Sequence, residues 1–292
     1  MARALRPEWL RVAAPGGKNF TELKRLVAGH HLHTVCQSAR CPNIGDCWER
    51  RTATFMILGN TCTRNCAFCA VPHGRPTEYD REEPERVADA VARLELRHAV
   101  VTSVTRDDLA DGGAALFAET IRAIRRRRPG CSVEVLIPDF GGSREALQVV
   151  MDARPEILNH NLETVAALQA RVRPQANYQR SLSVLRMARE LAPEVLTKSG
   201  LMLGLGEEWA EVEQAMADLR TVDCQILTLG QYLRPSLEHL PIQRYYSPEE
   251  FARLREVGLR LGFRHVEAAP LVRSSYHAAE QLERGSGEPA AR

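Results

Sequence analysis

With 292 residues, 44% of them hydrophobic and 26% charged, the chain has apolar material for one large core or two modest ones. Its 39 Lys and Arg against 37 Asp and Glu leave a formal net charge of +2, which excludes the strong field that draws proteins to nucleic acid or anionic membranes. No apolar run approaches the about 18 residues that span a bilayer, and the opening MARALRPEWL lacks the apolar core of a secretory signal, so a cytoplasmic protein with no membrane or nucleic-acid partner is expected.

Residues 1–50 contain a polar lead with Pro and Gly (APGGKNF), one helix (TELKRLVAG) and then Cys36, Cys41 and Cys47; they read as an extension laid against the rest of the chain. From residue 54, short β-branched runs alternate with amphipathic helical stretches, the pattern of βα units on a parallel sheet. The expected strands are TFMIL (54–58), HAVVTSV (98–104), SVEVLI (132–137), EILNHN (156–161), VLTKSGLML (195–203) and CQILTLG (224–230). Helical patterns such as EPERVADAVARLE (83–95), AALFAETIRAIRRRR (114–128) and REALQVVMDA (144–153) lie between them. The basic run Arg125 to Arg128 reads as a solvated helix end, where cations complement the macrodipole. SPEEFARLREVGLRLGF (247–263) opens with a Ser cap, Pro and two Glu, a good helix entry. Six units fall short of the eight that close a complete barrel. The expected fold is therefore α/β, a partial, open (β/α)6 barrel over residues 51–263, with an N-terminal extension (1–50) and a C-terminal segment (264–292) whose tail from Arg284 is expected to be disordered.

Of the eight cysteines, six fall between residues 36 and 69. A disulfide framework belongs to short secreted chains poor in core residues, so free thiols for metal are the better reading. Cys62, Cys66 and Cys69 (CTRNCAFC) directly follow the first strand, at the carboxyl end where parallel βα architectures place their chemistry. Three thiolates leave a zinc tetrahedron incomplete, but they suit a four-iron cluster with one iron open to a small chelate. The fourth ligand is then a substrate rather than a residue. Cys36, Cys41 and Cys47, spaced C-x4-C-x5-C, also stop at three. Cys131 or Cys224 could complete that set, though both lie beside strand cores and read as small buried hydrophobes. His30, His31 and His33 are further ligand candidates in what reads as a solvated turn.

The C-x3-C-x2-C spacing, with Phe68 before its last cysteine, resembles the signature of the radical S-adenosylmethionine enzymes. The resemblance implies that the open iron chelates the amino and carboxylate groups of S-adenosylmethionine and that one electron from the cluster breaks its sulfonium bond, giving a 5'-deoxyadenosyl radical. Both trios, together with CPNIGDCW (41–48) and PLVRSSYHA (270–278), resemble the lipoyl synthases from Pro7 to His277. That likeness implies two 4Fe-4S clusters and S-adenosylmethionine as cofactors, with Ser275 as the fourth ligand of the second cluster. It implies a catalytic set of Cys62, Cys66, Cys69 and Ser275, placing two sulfur atoms on an octanoyl group that is amide-linked to a lysine of a carrier domain. The carriers implied are E2 subunits of 2-oxoacid dehydrogenases and the glycine cleavage H protein. The second cluster would be consumed as sulfur source, which calls for a reducing electron donor and an iron–sulfur cluster carrier as further partners. An alkoxide is a poorer match for soft iron than a thiolate, so the Ser275 corner is where such a cluster could come apart.

HNLET (160–164) resembles the HNLDT segment of biotin synthase, which implies that Asn161 and Glu163 contact the adenosyl ribose; the alternative for Asn161 is a cap on the following helix. Arg180 is the candidate for the methionine carboxylate, which guanidinium reads bidentately, with a surface ion pair as its other reading. Gly112 and Gly113 resemble the Gly-Gly-Glu element that receives the methionine amine, but Ala114 follows them, and Thr102, Ser103 or Asp107 are alternatives. GLMLGLGE (200–207) could bring backbone close to the adenosine. Ala268 and Ala269 stand where the family usually has Ser and Gly, a departure that bears on the loop of Ser275. The rival enzyme is another radical sulfurtransferase, biotin-synthase-like or a methylthiotransferase, with the near-neutral charge against an RNA substrate. Outside the enzymes, the rivals are a two-cluster electron carrier and a zinc module.

Overall fold

The computed structural model describes residues 7–12, 14–30, 32–39, 41–77 and 79–286. The N-terminal extension supplies α1 (Lys18–Gly29), β1 (His33–Thr34), α2 (Val35–Ser38) and α3 (Ile44–Glu49). Next come β2 (Thr54–Ile57), α4 (Glu83–Arg93), β3 (His98–Ser103), α5 (Ala114–Arg127), β4 (Ser132–Leu136), α6 (Arg144–Asp152) and β5 (Ile157–Asn159). The chain continues through α7 (Gln169–Val172), α8 (Tyr178–Leu191), β6 (Leu196–Leu203), α9 (Trp209–Thr221), β7 (Ile226–Gln231), α10 (Pro248–Arg260), β8 (His265–Ala268) and α11 (Ala278–Ser286).

The eight strands lie side by side in chain order, and no ladder among the described residues joins β8 back to β1, so the barrel is open. From β2 to β8 every pairing is parallel, while β1 runs antiparallel to β2, pairing His33 with Met56. The six expected strands are β2 to β7, each followed by a helix. Two strands were not expected: β1, which has only two residues, and β8, whose HVEA sequence is half polar. The wholly buried TFMI of β2 shows why its sequence lacks alternation: sheet-covering helices bury both faces of a parallel strand.

Helix starts are chemically explicit. The Ser143 hydroxyl accepts from Ala146 N at 3.1 Å, the Asn177 side chain from Arg180 N at 2.9 Å, and Ser247 forms a full capping box with Glu250. The basic end of α5 is engaged rather than merely solvated: Arg127 pairs with Glu85 of α4 at 3.0 Å and Arg125 with Glu156 at 2.7 Å. Inside the barrel the fully buried Lys198 of β6 bonds both oxygens of fully buried Glu134 of β4, at 2.9 and 3.0 Å, and Asn159 of β5 donates to the same carboxylate at 3.0 Å.

The C-terminal segment departs from expectation. Residues 284–286 complete α11 instead of starting a disordered tail, and residues 287–292 lie outside the described ones. Leu282 of α11 packs on Ile157, Leu196 and Ile226, which open β5, β6 and β7. The helix thus covers the amino ends of these strands, leaving the carboxyl ends as the mouth. No described helix is long and apolar enough to cross a membrane.

Candidate active site

A cavity of 1310 Å³ opens at the carboxyl ends of the strands, and it brings Cys36, Cys41, Cys62, Cys66, Cys69 and Ser275 to one wall system across the whole sequence. The C-x3-C-x2-C loop leaves β2 and is pinned at several points. Cys62 N donates to Pro72 O at 2.8 Å, Ala67 N to Val172 O at 2.9 Å and Cys69 N to Cys66 O at 3.0 Å. Two backbone N–H groups, of Arg64 at 3.4 Å and Thr105 at 3.3 Å, point at Cys62 Sγ, the cradle a thiolate sulfur uses. Phe68 packs on Val172, Leu205 and Tyr232 and lines the same cavity as the three thiols.

Against this loop lies a partly buried charge cluster, of which sequence reasoning named Asp107 but missed Arg64 and Asp139. The Arg64 guanidinium forks onto Asp107 (2.8 and 2.7 Å) and onto Asp139 (3.1 and 2.7 Å). Burial pushes the Asp139 carboxyl up, but the Arg64 hydrogen bonds and charge outweigh it and hold it at about 2. The available signal was Arg64 itself, a long cation in the middle of a cysteine loop at the mouth.

Burial pushes the Cys69 thiol up to about 12 and raises Cys66 too, against the nearby charge of Arg173. Burial likewise raises Cys36, Cys41 and Cys47, and those three interact with one another. Such thiols ionise only against metal charge. Three thiols leave one corner of a four-iron cluster open; Cys62, Cys66 and Cys69 all line the cavity, as do Cys36 and Cys41, whereas Cys47 does not.

The second trio meets the C-terminal segment. Asn43 Nδ2, between Cys41 and Cys47, donates to Leu271 O at 2.6 Å, Arg273 lowers the cost of ionising Cys41, and His277 lies 3.7 Å from Asp46. Ser275 stands between these contacts and lines the cavity. Ala268 and Ala269 do not detach its loop: Ala269 N bonds Leu229 O at 3.2 Å, and Gln231 N bonds Pro270 O at 3.1 Å. Gly230 makes that closeness possible, since a Cβ there would lie 2.0 Å from Val272 O. Cys131 and Cys224 are buried and do not line the cavity. Neither does His30, which faces Asp89 at 3.7 Å, nor His33; His31 lies outside the described residues.

Asn161 and Glu163 also line the cavity. Asn161 caps no helix: its Nδ2 donates to Glu163 Oε1 at 2.9 Å and Ser274 Oγ at 2.7 Å, and its buried Oδ1 has no partner. Glu163 adopts φ 67°, a conformation costly for a non-glycine residue and held by Glu163 N to Gly200 O at 2.9 Å. Burial raises its carboxyl, opposed by Arg173, Asn161 and Arg273.

Arg180 stands outside the cavity lining, half-exposed and 3.4 Å from Asp139, so it takes the ion-pair reading. Arg234 and Arg273 line the cavity, and so does Arg173, which is unmarked in the sequence. Its Nη1 is anchored on Asn161 O (2.9 Å) and Leu162 O (3.1 Å), while its Nε is buried without a partner. Gly112 and Gly113, at φ 61° and 91°, make the turn into α5 and do not reach the cavity. Of the three alternatives, Asp107 is occupied by Arg64 and the Thr102 hydroxyl bonds Leu136 O at 2.9 Å, leaving the buried, unpartnered Ser103 hydroxyl at the cavity wall. Gly200 also lines the cavity, next to Asn161.

The model of the radical SAM superfamily matches residues 56–219, and that of the N-terminal domain of lipoyl synthase of the radical SAM family matches residues 2–41. A lipoyl synthase of Rubrobacter xylanophilus is 63% identical over 278 residues, 95% of this chain and 87% of that one. The lipoyl synthase of Symbiobacterium thermophilum is 62% identical over 276 residues, 94% of this chain and 86% of its own. The FeFe-hydrogenase maturase HydG from Carboxydothermus hydrogenoformans superimposes with a TM-score of 0.58 at 14% identity, covering 90% of this chain and 77% of that one, a likeness of fold.

Proposed function

This chain belongs to the lipoyl synthase family of radical S-adenosylmethionine enzymes, and we propose that its two cysteine trios serve a single reaction at the one mouth. It is a sulfurtransferase that uses S-adenosylmethionine and a 4Fe-4S cluster to insert sulfur into an octanoyl group on a lipoyl carrier protein. The observation that carries the proposal is the convergence of Cys36, Cys41, Cys62, Cys66, Cys69 and Ser275 on one cavity.

Cys62, Cys66 and Cys69 would hold the cluster that, when bound, supplies the electron releasing a carbon radical from S-adenosylmethionine. Cys36, Cys41 and Cys47, with Ser275 as fourth ligand, would hold a second 4Fe-4S cluster, the source of sulfur. The protein's own work is to bind and orient. Arg173, clamped by two carbonyls, presents its remaining N–H groups to the methionine carboxylate. The Ser103 hydroxyl accepts from the amine, and the Asn161 and Glu163 side chains take the ribose hydroxyls. Val100, Leu136 and Ile137 line the cavity with apolar surface that receives the octanoyl chain and excludes water from a radical.

Residues 1–50 and 264–292 act as the two arms that build the second site around the 51–263 barrel. The partners are octanoylated E2 and H-protein domains, a reducing donor and a cluster carrier that rebuilds the second site, all in the cytoplasm. Anaerobic incubation of the reconstituted protein with S-adenosylmethionine and an octanoylated domain tests the reading by intact mass: a gain of two sulfurs is expected, and an unchanged octanoyl mass overturns it.

A further inference from the structure

The cavity mouth has a rim that the chemistry inside does not use. Among the described residues lining the cavity, four are exposed, Val12, Ala39, Leu237 and Pro241, and all four are apolar. Val12 and Ala39 stand on the N-terminal extension, Leu237 and Pro241 on the connection from β7 to α10, so the apolar rim has two sides. Leu237 is 87% exposed, far beyond Val12 at 44% and the other large exposed hydrophobics. A single exposed leucine is ordinary on a protein surface, but these four exposed apolar residues stand on two sides of one cavity opening, with the exposed charges of Arg11 and Glu238 beside them, an apolar patch with a charged border.

Leu237 is not bare because its loop is slack. Arg234 Nε donates to His239 O at 2.8 Å and its Nη2 donates to Leu237 O, while His239 N reaches Ser236 O at 3.2 Å. His239 Nε2 lies 3.0 Å from Cys69 O; a carbonyl only accepts, so Nε2 carries the proton and Nδ1 accepts from the Ser236 hydroxyl at 2.8 Å. Leu240 N donates to Ala67 O at 3.2 Å. The turn is therefore fixed on the cysteine loop and holds its leucine outward, where only something arriving from outside can bury it.

We propose that this rim is the docking surface for the folded carrier domain, with Leu237 as its principal contact. The inference rests on the reading that the octanoyl chain enters this cavity tethered to a lysine. A tethered chain forces the body of its domain against the mouth, and the exposed residues of the cavity lining there are apolar, the composition of a desolvated interface centre. A freely diffusing fatty acid would need no rim. Docking in this way also presses on the turn that touches Cys69 and Ala67, so the carrier covers the mouth at the radical-generating loop.

The test compares two substrates with the reconstituted holoenzyme: an octanoylated carrier domain and a short peptide bearing octanoyl-lysine, too small to reach the rim. Leu237→Ser is expected to raise the concentration of domain that half-saturates the first turnover by about tenfold or more, with peptide turnover and 5'-deoxyadenosine formation unchanged. Pro241→Ser should give a smaller rise of the same kind. Equal losses on domain and peptide would make Leu237 part of the acyl path and overturn the proposal, and so would an unchanged response to the domain. Loss of a dimer in size-exclusion chromatography, with domain saturation unchanged, would assign the rim to a second copy of this chain and overturn it as well. Wild-type protein that makes no lipoyl group from either substrate would instead refute the functional reading underneath, which separates the two failures.

Discussion

Replacing Arg173 by Met should remove the carboxylate receptor for S-adenosylmethionine while leaving the cavity volume nearly intact. Two carbonyl contacts, at 2.9 and 3.1 Å, occupy Nη1, and the buried Nε without a partner marks the side of the guanidinium left for a ligand. A hydrogen bond to a charged partner contributes about 1.5–3 kcal/mol, so losing one weakens binding about 10- to 150-fold. Arg180→Met is the internal control: Arg180 is half-exposed, stands outside the cavity lining and is paired with Asp139 at 3.4 Å, so its loss should leave the affinity within about fivefold. Equilibrium dialysis of S-adenosylmethionine against anaerobically reconstituted protein reads both. Because Arg173 also bears on Cys66, iron content is measured first, and the comparison is made on variants with wild-type iron. Arg173→Lys should recover part of the loss, since it keeps the charge without the fork. Wild-type affinity in Arg173→Met, or a large loss confined to Arg180→Met, would refute the assignment.

The trios should be separable: Cys62→Ala, Cys66→Ala or Cys69→Ala abolishes 5'-deoxyadenosine formation, whereas Cys36→Ala, Cys41→Ala or Cys47→Ala keeps it and loses sulfur insertion, as chromatography of the nucleoside and intact mass of the carrier will show. Lys198→Met leaves the buried Glu134 with Asn159 at 3.0 Å and the His98 ring at 3.7 Å, and chemical denaturation should register about 3–5 kcal/mol of destabilisation, largely recovered in the double variant with Glu134→Met. Asp139, held at about 2 against an ordinary 3.8, has a folded pKa below its unfolded one, so its stabilisation is present above pH 3.8 and lost as pH falls through about 2. That limb is worth about 2 kcal/mol, and it should flatten in Arg64→Met when acid unfolding is followed by circular dichroism.

The sequence made the chemistry more legible than its second layer of support. Strands β2 to β7 announced themselves as buried β-branched runs, and the thiol spacings pointed to both candidate metal sites, because a cluster needs its ligands on short loops. β1 was invisible because two residues carry no periodicity, and β8 because Glu267 interrupts its apolar run. α11 was hidden by a Gly-containing tail, though Leu282 and Ala278 already gave it an apolar face. Arg173 could not be singled out, since its role follows from the packing of Val172 O against Ala67 N, a contact between segments more than a hundred residues apart. Arg180 drew the carboxylate role from residue type alone, which says nothing of which way a side chain faces. The joining of CPNIGDCW to the RSSY loop through Asn43 and Leu271 is likewise a matter of topology.

The central claim is that the second trio supplies the sulfur for a reaction started at the first. Both clusters are reconstituted with heavy-isotope sulfide, only unlabelled sulfur is left in solution, and the octanoylated carrier domain is weighed after anaerobic reaction with S-adenosylmethionine. The expected product carries two heavy sulfurs, with turnover halting after a single lipoyl group per chain unless the cluster is rebuilt, and Ser275→Ala impairing insertion more than radical formation. A product with light sulfur, or many unaided turnovers, would contradict the claim.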